Sequence, residues 1–279
     1  MSKILTKAYL SPNVIQLEIH APLIARKRKA GHFVIIKIGE EGERIPLTIA
    51  KADPEKGSIT LIVQKVGVTS HKVAALNVGD EVTDVVGPLG NATHIENVGT
   101  VLCAGGGVGI APLLPIVEAL KNAGNTVISI LAARTRELLI LEKEIRNCSD
   151  EVIIMTDDGS CGKKGLITQG MEEIFKTRKI DLCVTIGPAI MMKYTSLVAQ
   201  RYAVPAMASL NAIMVDGTGM CGACRVSVGG KIRFVCVDGP EFDAYQVDFD
   251  ELLMRLGGYK LEEERDYKHE LDRSKTGIL

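Results

Sequence analysis

Short segments of alternating apolar and polar residues fill the first third of the chain. Turn-forming residues separate these segments, which occupy residues 14–19, 32–38, 45–49 and 58–63. Alternation with a period of two places one face of a strand on a core and leaves the other face in solvent. A short helical pattern over residues 70–76 and a further strand over residues 81–86 follow. The pattern predicts a small antiparallel β-barrel domain over residues 1–97.

The pattern changes after residue 97. Apolar strand-like runs now alternate with amphipathic helical stretches, in the order 100–104, 110–123, 126–132, 136–146, 151–155, 168–177, 182–186, 189–199 and 206–210. Strands that helices cover on both faces form a mostly parallel sheet. We therefore expect a doubly wound α/β domain over residues 98–210. Such a sheet binds its ligands at the carboxyl ends of its strands.

A glycine-rich turn follows the first strand of this second region. Glycine lets the backbone approach a pyrophosphate closely, and the start of the following helix offers free amide donors. Any tight turn from a strand to a helix can also use glycine, so this alternative stays open. Two loops at equivalent strand ends complete a predicted dinucleotide site, whose candidate residues are Gly106, Gly107, Val108, Gly109, Pro112, Asp157, Asp158, Gly187 and Pro188.

A second glycine-rich segment, residues 211–248, carries one carboxylate and three thiols in the spacing Asp216-x4-Cys221-x2-Cys224-x11-Cys236. Plant-type 2Fe–2S sites use C-x4-C-x2-C and a distant fourth cysteine. Here Asp216 stands in the first ligand position, and iron accepts oxygen as well as sulfur. The segment therefore predicts a 2Fe–2S cluster that is held by these four residues.

A zinc site, a redox dithiol or a set of structural cysteines would suit this segment less well. Zinc knuckles and redox dithiols also use C-x2-C, but zinc favours a second pair or added histidines. No histidine lies between Asp216 and Cys236. A dithiol would account for only two of the four residues. Buried structural cysteines do not suit a glycine-rich stretch that lacks apolar periodicity.

Composition narrows the class of protein. The 279 residues are 46% hydrophobic and 24% charged, which suits two or three small domains. A net charge of -1 provides no attraction for nucleic acid.

The start of the chain lacks the apolar core of a signal peptide, and no run reaches the ~18 apolar residues of a membrane span. Four further cysteines lack the spacing of a disulfide framework, which is typical of a reducing compartment. We expect a cytoplasmic protein.

The tail, residues 249–279, is helical in pattern and contains a charged run over residues 261–268. Such a run usually marks a solvated helix face. Because the tail follows the cysteine segment, we expect it to contact a partner subunit.

Two segments carry a resemblance to a known family. The barrel with Arg44-Ile45-Pro46-Leu47-Thr48, together with the turn at 107–112, resembles the ferredoxin-NADP reductase superfamily, where an Arg-x-Tyr-Ser/Thr segment binds FAD. The resemblance implies that Arg44 contacts the flavin pyrophosphate and that Thr48 lies near the reactive flavin nitrogen. Pro46 and Leu47 belong to the same FAD-binding segment, and Leu47 replaces the usual tyrosine.

A second flavin-phosphate segment of this family has a counterpart in Gly67, Val68, Thr69 and Ser70. The resemblance implies that this glycine turn and the helix after it bind the flavin phosphates. Threonine and serine are equally typical of a helix N-cap, so that alternative stays open.

The whole chain resembles the small (alpha) FAD and 2Fe–2S subunit of NADH-dependent reduced ferredoxin:NADP oxidoreductases, which are similar to sulfide dehydrogenase subunit beta. An aspartate in the first ligand position is a point of resemblance to this group, whereas the related electron-transfer subunits of dihydroorotate dehydrogenase carry four cysteines. The resemblance implies a heterodimer in which a larger flavin and iron–sulfur subunit handles NADP(H) and ferredoxin by electron bifurcation. The alternatives are a dihydroorotate dehydrogenase subunit and a non-catalytic redox-sensing adaptor.

The residues themselves allow either NAD(H) or NADP(H) to bind this chain. Arg134 and Arg136 follow the second strand of the α/β region, where they could grip the 2′-phosphate of NADP(H). They could equally be solvated residues at a helix start. The resemblance implies NAD(H). A nicotinamide donates a hydride and a cluster accepts one electron, and a flavin converts between the two. No catalytic side chain is predicted, because the histidines are isolated in the sequence.

Overall fold

The first seven strands form an antiparallel sheet that curls into a nearly closed barrel. A computed structural model describes residues 2–40 and 42–276 of the chain. The sheet order is β6-β1-β2-β5-β4-β3-β7, and Thr83 alone separates the two edge strands in the chain. The strands are β1 (Ser2–Ser11), β2 (Val14–His20), β3 (Phe33–Lys37), β4 (Arg44–Asp53), β5 (Ser58–Gln64), β6 (Glu81–Val82) and β7 (Asp84–Leu89). The predicted barrel is confirmed.

The barrel core follows from the alternation seen in the sequence. Ile15, Leu17 and Ile19 of β2 are fully buried, while the residues between them are less so. Two helices accompany the strands, α1 (Pro22–Lys27) between β2 and β3, and α2 (Val68–Ala75) after β5. Helix α2 packs on β5.

A second seven-stranded sheet forms the core of the α/β domain, in the order β11-β10-β9-β8-β12-β13-β16. All its neighbours are parallel except β13 and β16, which pair antiparallel. Its strands are β8 (Thr100–Gly106), β9 (Thr126–Ala133), β10 (Glu151–Thr156), β11 (Lys163–Lys164), β12 (Leu182–Ile186), β13 (Ala206–Ser209) and β16 (Glu241–Asp243). The predicted parallel sheet is confirmed.

Four helices connect these parallel strands, namely α3 (Ile110–Asn122), α4 (Glu142–Asn147), α5 (Ile167–Thr177) and α6 (Ala189–Arg201). The prediction of one continuous helix over residues 136–146 is wrong. A 3-10 turn at Arg136–Leu138 comes first, and Leu141 then takes a left-handed conformation with φ of 55° before α4 begins. Ile140 and Leu141 are buried at this break. Their burial in the apolar layer that contains α3 replaces the regular helix.

The cysteine segment forms a hairpin followed by helices. Its strands β14 (Arg225–Val228) and β15 (Lys231–Phe234) pair antiparallel, and α7 (Val235–Asp238) follows directly. The chain then enters β16, which extends the α/β sheet. Helices α8 (Phe249–Leu256) and α9 (Lys260–Thr276) complete the described chain. The last residues of the predicted tail, 277–279, lie outside the described residues.

Apolar contacts join the barrel, the sheet and the cysteine segment. Ala50 and Ile62 of the barrel share one core with α3. Phe33 and Ile35 of β3 share another with the cysteine segment, whose Cys224 is buried there. These shared cores hold the barrel beside the carboxyl ends of the parallel strands. Across the described residues, no helix has the length and apolar character needed to cross a membrane.

Candidate functional site

A cleft of about 1930 Å³ lies between the barrel and the carboxyl ends of the parallel strands. A typical pocket for one small ligand has about 300–1,000 Å³, so this cleft has room for more than one. All of the predicted nucleotide-binding residues line it except Arg44, Arg136 and Asp158; those that do are Pro46, Leu47, Thr48, Gly67, Val68, Thr69, Ser70, Gly106, Gly107, Val108, Gly109, Pro112, Arg134, Asp157, Gly187 and Pro188.

The glycine turn after β8 packs directly against the turn after β12. These neighbouring strands are the switch point of the sheet, because the chain continues from β8 to β9 on one side and returns to β12 on the other. A side chain at Gly109 would lie 2.6 Å from the carbonyl oxygen of Ile186 and 2.7 Å from Cα of Gly187. Glycine is therefore required at position 109. Open α/β sheets bind their ligands at such a switch point.

Helix α2 borders the cleft on the barrel side. The hydroxyl of Ser70 accepts hydrogen bonds from the amides of Val66 and Gly67, each at 2.9 Å, and donates to the carbonyl of Gly67 at 2.9 Å. The Thr69 hydroxyl donates to the carboxylate of Glu43. Ser70 thus stabilises the start of the helix from its third position, whereas the N-cap residue is Gly67, so the alternative of a threonine or serine N-cap is wrong. The first backbone amides of α2 still lack intrahelical partners and are the groups that suit a phosphate.

The loop after β10 is tied to the turn after β9. The Arg136 amide donates to the Ser160 hydroxyl at 2.8 Å, and Asp158 accepts from the Ser160 amide and hydroxyl at 2.9 and 2.7 Å. The hydroxyl of Ser160, followed by its amide, lowers the pKa of Asp158. Asp158 therefore shapes the loop, while Asp157 and Arg134 border the cleft.

The four predicted cluster ligands lie on one compact segment. Asp216 accepts from the amides of Thr218 and Cys221 at 2.7 and 3.0 Å. The sulfur atoms of Cys224 and Cys236 lie 3.2 Å apart, and both residues are buried, whereas Cys221 is exposed. One predicted ligand, Cys221, is therefore exposed, while Cys224 and Cys236 are buried in the core that this segment shares with β3.

Comparison with known proteins agrees with this geometry. Residues 211–248 match the family model described as the iron-sulfur cluster binding domain of dihydroorotate dehydrogenase B. The dihydroorotate dehydrogenase B (NAD(+)), electron transfer subunit homolog of Thermotoga maritima is 50% identical over 268 residues, which are 96% of this chain and 95% of the relative. The electron transfer subunit of Desulforamulus reducens is 34% identical over 88% of this chain and 97% of its own length.

The chain belongs to the dihydroorotate dehydrogenase B electron transfer subunit family. A chain of the NADH-dependent reduced ferredoxin-NADP oxidoreductase, solved in a study of flavin-based electron bifurcation, superposes with a TM-score of 0.92. It is 48% identical, and the match covers 97% of this chain and 98% of that chain. A cytochrome P450 reductase of Amycolatopsis, 21% identical over 72% of this chain and 65% of that chain, shares the fold with a TM-score of 0.62. The predicted resemblance to the FAD and 2Fe–2S subunit of ferredoxin:NADP oxidoreductases is confirmed.

The donor set of this electron transfer subunit suits an iron–sulfur cluster, although the side chains form two pairs rather than a closed site. Within the described part of the chain, no group of three or more His, Cys, Asp and Glu side chains is arranged to hold a metal ion. Cys224 lies beside Cys236, and Asp216 lies beside Cys221. Burial, followed by the contact with Cys224, raises the pKa of Cys236 to about 12. A thiol of this kind ionises when a metal binds it.

Several cleft residues of this electron transfer subunit gave no clear signal in the sequence. Ile190, Tyr194 and Leu197 project from one face of α6 into the cleft, and they are 46%, 53% and 47% exposed. Their spacing is that of a helix face. The opposite face of α6 is also apolar, so the second stripe could have been noticed. Glu43 and Phe33 also line the cleft and were not predicted.

The C-terminal helix of the subunit lies against the barrel side of the cleft. The hydroxyl of Tyr267 in α9 lies 3.1 Å from Nε2 of His71 in α2, and the two rings are 5.1 Å apart. Glu262, Glu263 and Asp266 of α9 are among the residues that border the cleft. The tail therefore contacts the barrel, while its contact with a partner stays a prediction.

Proposed function

We propose that this chain is the electron-transfer subunit of a cytoplasmic flavin-based oxidoreductase. It passes electrons between NAD(H), FAD and a 2Fe–2S cluster, and a partner subunit handles NADP(H) and ferredoxin in an electron-bifurcating complex. The observation that best supports this proposal is the packing of the cysteine segment on β3 and β7, beside the cleft. A side chain at Gly217 would lie 2.7 Å from Ile35 and 2.9 Å from Leu89.

The residues divide the task between three sites. Pro46, Leu47 and Thr48 of β4 and the start of α2 are proposed to hold FAD. The turns that contain Gly107, Gly109 and Gly187 are proposed to hold NAD(H). Asp216, Cys221, Cys224 and Cys236 are proposed to hold the cluster. We also propose four structural units. They are the barrel domain over residues 1–97, the α/β domain over residues 98–210, the cluster-binding segment over residues 211–248 and the helical tail over residues 249–279.

The chain contributes orientation rather than a reacting side chain. Bound FAD would exchange two electrons with a nicotinamide and single electrons with the cluster. The backbone amides at the starts of α2 and α3 bind phosphate groups through the positive ends of these helices. Phe33 and Leu47 add apolar side chains to the lining of the cleft. No step requires a protein nucleophile.

A dihydroorotate dehydrogenase subunit is the second candidate, since the matched family model over residues 211–248 carries that description. Asp216 favours the ferredoxin:NADP group, because the resemblance associates four cysteines with the dihydroorotate enzymes. The two candidates differ in the partner subunit. Co-expression with each type of large subunit, followed by assays with dihydroorotate and with NADPH plus ferredoxin, separates them.

An anaerobic titration of the purified chain with NADH tests the proposal. We expect the flavin absorption band and the broad cluster absorption to bleach together. Iron without a flavin response would contradict electron transfer within this chain and favour the redox-sensing adaptor. A chain that contains neither FAD nor iron after reconstitution would overturn the proposal.

A further inference from the structure

The side chain of Arg44 faces the cysteine segment. Its Nε donates to the carbonyl oxygen of Val215 at 3.1 Å. Val215 immediately precedes Asp216, the first proposed cluster ligand. Glu43 and Ile45, on either side of Arg44, line the cleft, but Arg44 is not among the described residues that do. The contact therefore joins the start of β4 to the cysteine segment.

Strand geometry explains this orientation. In the Arg-x-Tyr-Ser/Thr pattern, arginine precedes the tyrosine position by two residues, and that position is Leu47 here. Counting back two residues from Leu47 gives Ile45, and Arg44 is one residue earlier. A shift of one residue along a strand turns a side chain to the opposite face. Arg44 therefore lies on the opposite strand face from Ile45 and Leu47, and its side chain contacts Val215.

The residues after Val215 are held just as closely to the barrel. Gly217 takes a φ of 76°, and its missing side chain allows the backbone to touch Ile35 and Leu89. Asp216 lies between the Arg44 contact and this close approach. Its carboxylate is oriented by the amides of Thr218 and Cys221. Two independent contacts with the barrel thus fix the backbone on both sides of the first proposed ligand.

We propose that Arg44 is a positioning residue for the iron–sulfur segment and not a ligand of the flavin pyrophosphate. It holds the Val215 carbonyl, and thereby the Asp216 carboxylate, against the start of β4. Its positive charge would lie near a cluster held at Asp216, where it would stabilise the reduced, more negative form. The inference rests on the proposed function, because it requires a cluster at Asp216 and FAD in the cleft.

The test compares Arg44→Gln and Arg44→Lys with the wild-type protein. Arg26→Gln is the matched control, because Arg26 is an exposed arginine on α1 of the same barrel. FAD per chain, iron per chain, the electron paramagnetic resonance spectrum of the reduced cluster and its midpoint potential are measured for each protein. Circular dichroism verifies that each variant is folded.

We expect Arg44→Gln to keep the wild-type FAD content while its cluster spectrum changes and its midpoint potential becomes more negative. Arg44→Lys keeps the charge and should restore the potential toward wild type. Should Arg44→Gln not fold, Arg44→Lys with full FAD and a changed spectrum would still support the inference. Loss of FAD with an unchanged cluster spectrum would overturn it in favour of a pyrophosphate role.

Two further outcomes also contradict the role of Arg44. One is the loss of both FAD and the cluster from a folded Arg44→Gln variant. The other is that FAD content and the cluster spectrum are unchanged in both Arg44 variants. Failure of the proposed function is distinguishable, because the wild-type protein itself would then lack FAD or iron. The Arg26→Gln control should match the wild type in every measurement.

Discussion

The sulfur atom of Cys224 lies 3.2 Å from that of Cys236, although eleven residues separate them in the chain. The hairpin of β14 and β15 produces this proximity. Arg225 pairs with Phe234, and the amide of Val235 donates to the carbonyl of Cys224 at 3.1 Å. The spacing of the fourth cysteine therefore reflects one complete hairpin that returns the chain to its starting point.

Replacing Cys224 should remove the cluster from the folded protein. In Cys224→Ser the hydroxyl is a poor substitute for a buried thiolate ligand, so we expect the iron content and the broad visible absorption to fall to a small fraction of wild type. FAD should stay bound. Cys148→Ser is the control, because Cys148 is a partly buried cysteine outside this segment. Full iron content in Cys224→Ser would exclude Cys224 as a ligand.

Asp216 should set the potential of the cluster. The amide of Thr218 is the main cause of a lowered pKa for Asp216, with the Cys221 amide adding to it, so the carboxylate stays ionised near neutral pH. A hard oxygen ligand favours oxidised iron relative to a thiolate. We therefore expect Asp216→Cys to raise the midpoint potential, as measured by an anaerobic redox titration. An unchanged potential would contradict iron ligation by Asp216.

Much of this architecture could be predicted from the sequence. The barrel follows from alternation in segments such as residues 14–19, and the parallel sheet follows from the alternation of strands and helices. The contact of Arg44 with Val215 could not be predicted from the motif alone, because it joins positions 171 residues apart. The contact of Tyr267 with His71 was equally hard to predict, since it joins positions 196 residues apart. Such contacts depend on packing between distant elements.

Arg134 and Arg136 should not be required for NADH. Both are exposed, and the amide of Arg136 is used to hold the loop at Ser160. We expect an Arg134→Gln, Arg136→Gln double variant to be reduced by NADH within about twofold of the wild-type rate, because NADH lacks the 2′-phosphate that these arginines could grip. Stopped-flow absorbance measures the rate, with Arg146→Gln as the control. Loss of NADH reduction with NADPH reduction unaffected would contradict the prediction.

Glu241 should make the stability of the fold depend on pH. Burial raises its pKa to about 7, and the Thr93 hydroxyl, 2.7 Å away, partly offsets this rise. The unfolded state releases this proton near pH 4.5. Between these values the folded state binds more protons than the unfolded state, so the contribution of Glu241 to stability decreases as pH rises from about 4.5 to 7.

Glu241→Gln tests this dependence, because glutamine keeps the shape and an acceptor for Thr93 but cannot ionise. We expect the variant to gain stability relative to wild type between pH 5 and pH 8, by at most on the order of 3 kcal/mol. Denaturant unfolding at both pH values measures the difference. Thr93→Val serves as a comparison that leaves the carboxyl in place. Parallel pH profiles of wild type and Glu241→Gln would show that Glu241 does not titrate in this range.

The C-terminal helix should contribute to association with the partner subunit. Its charged residues continue beyond the contact between Tyr267 and His71, and many of those described in α9 are exposed. We expect a chain that ends at Gly257 to co-purify with the large subunit in reduced yield, whereas Tyr267→Phe, which removes only the hydroxyl contact, should associate normally. Affinity purification of the co-expressed subunits measures both. Unchanged association of the truncated chain would contradict the partner role, and a simultaneous loss of FAD would assign the helix to the cleft instead.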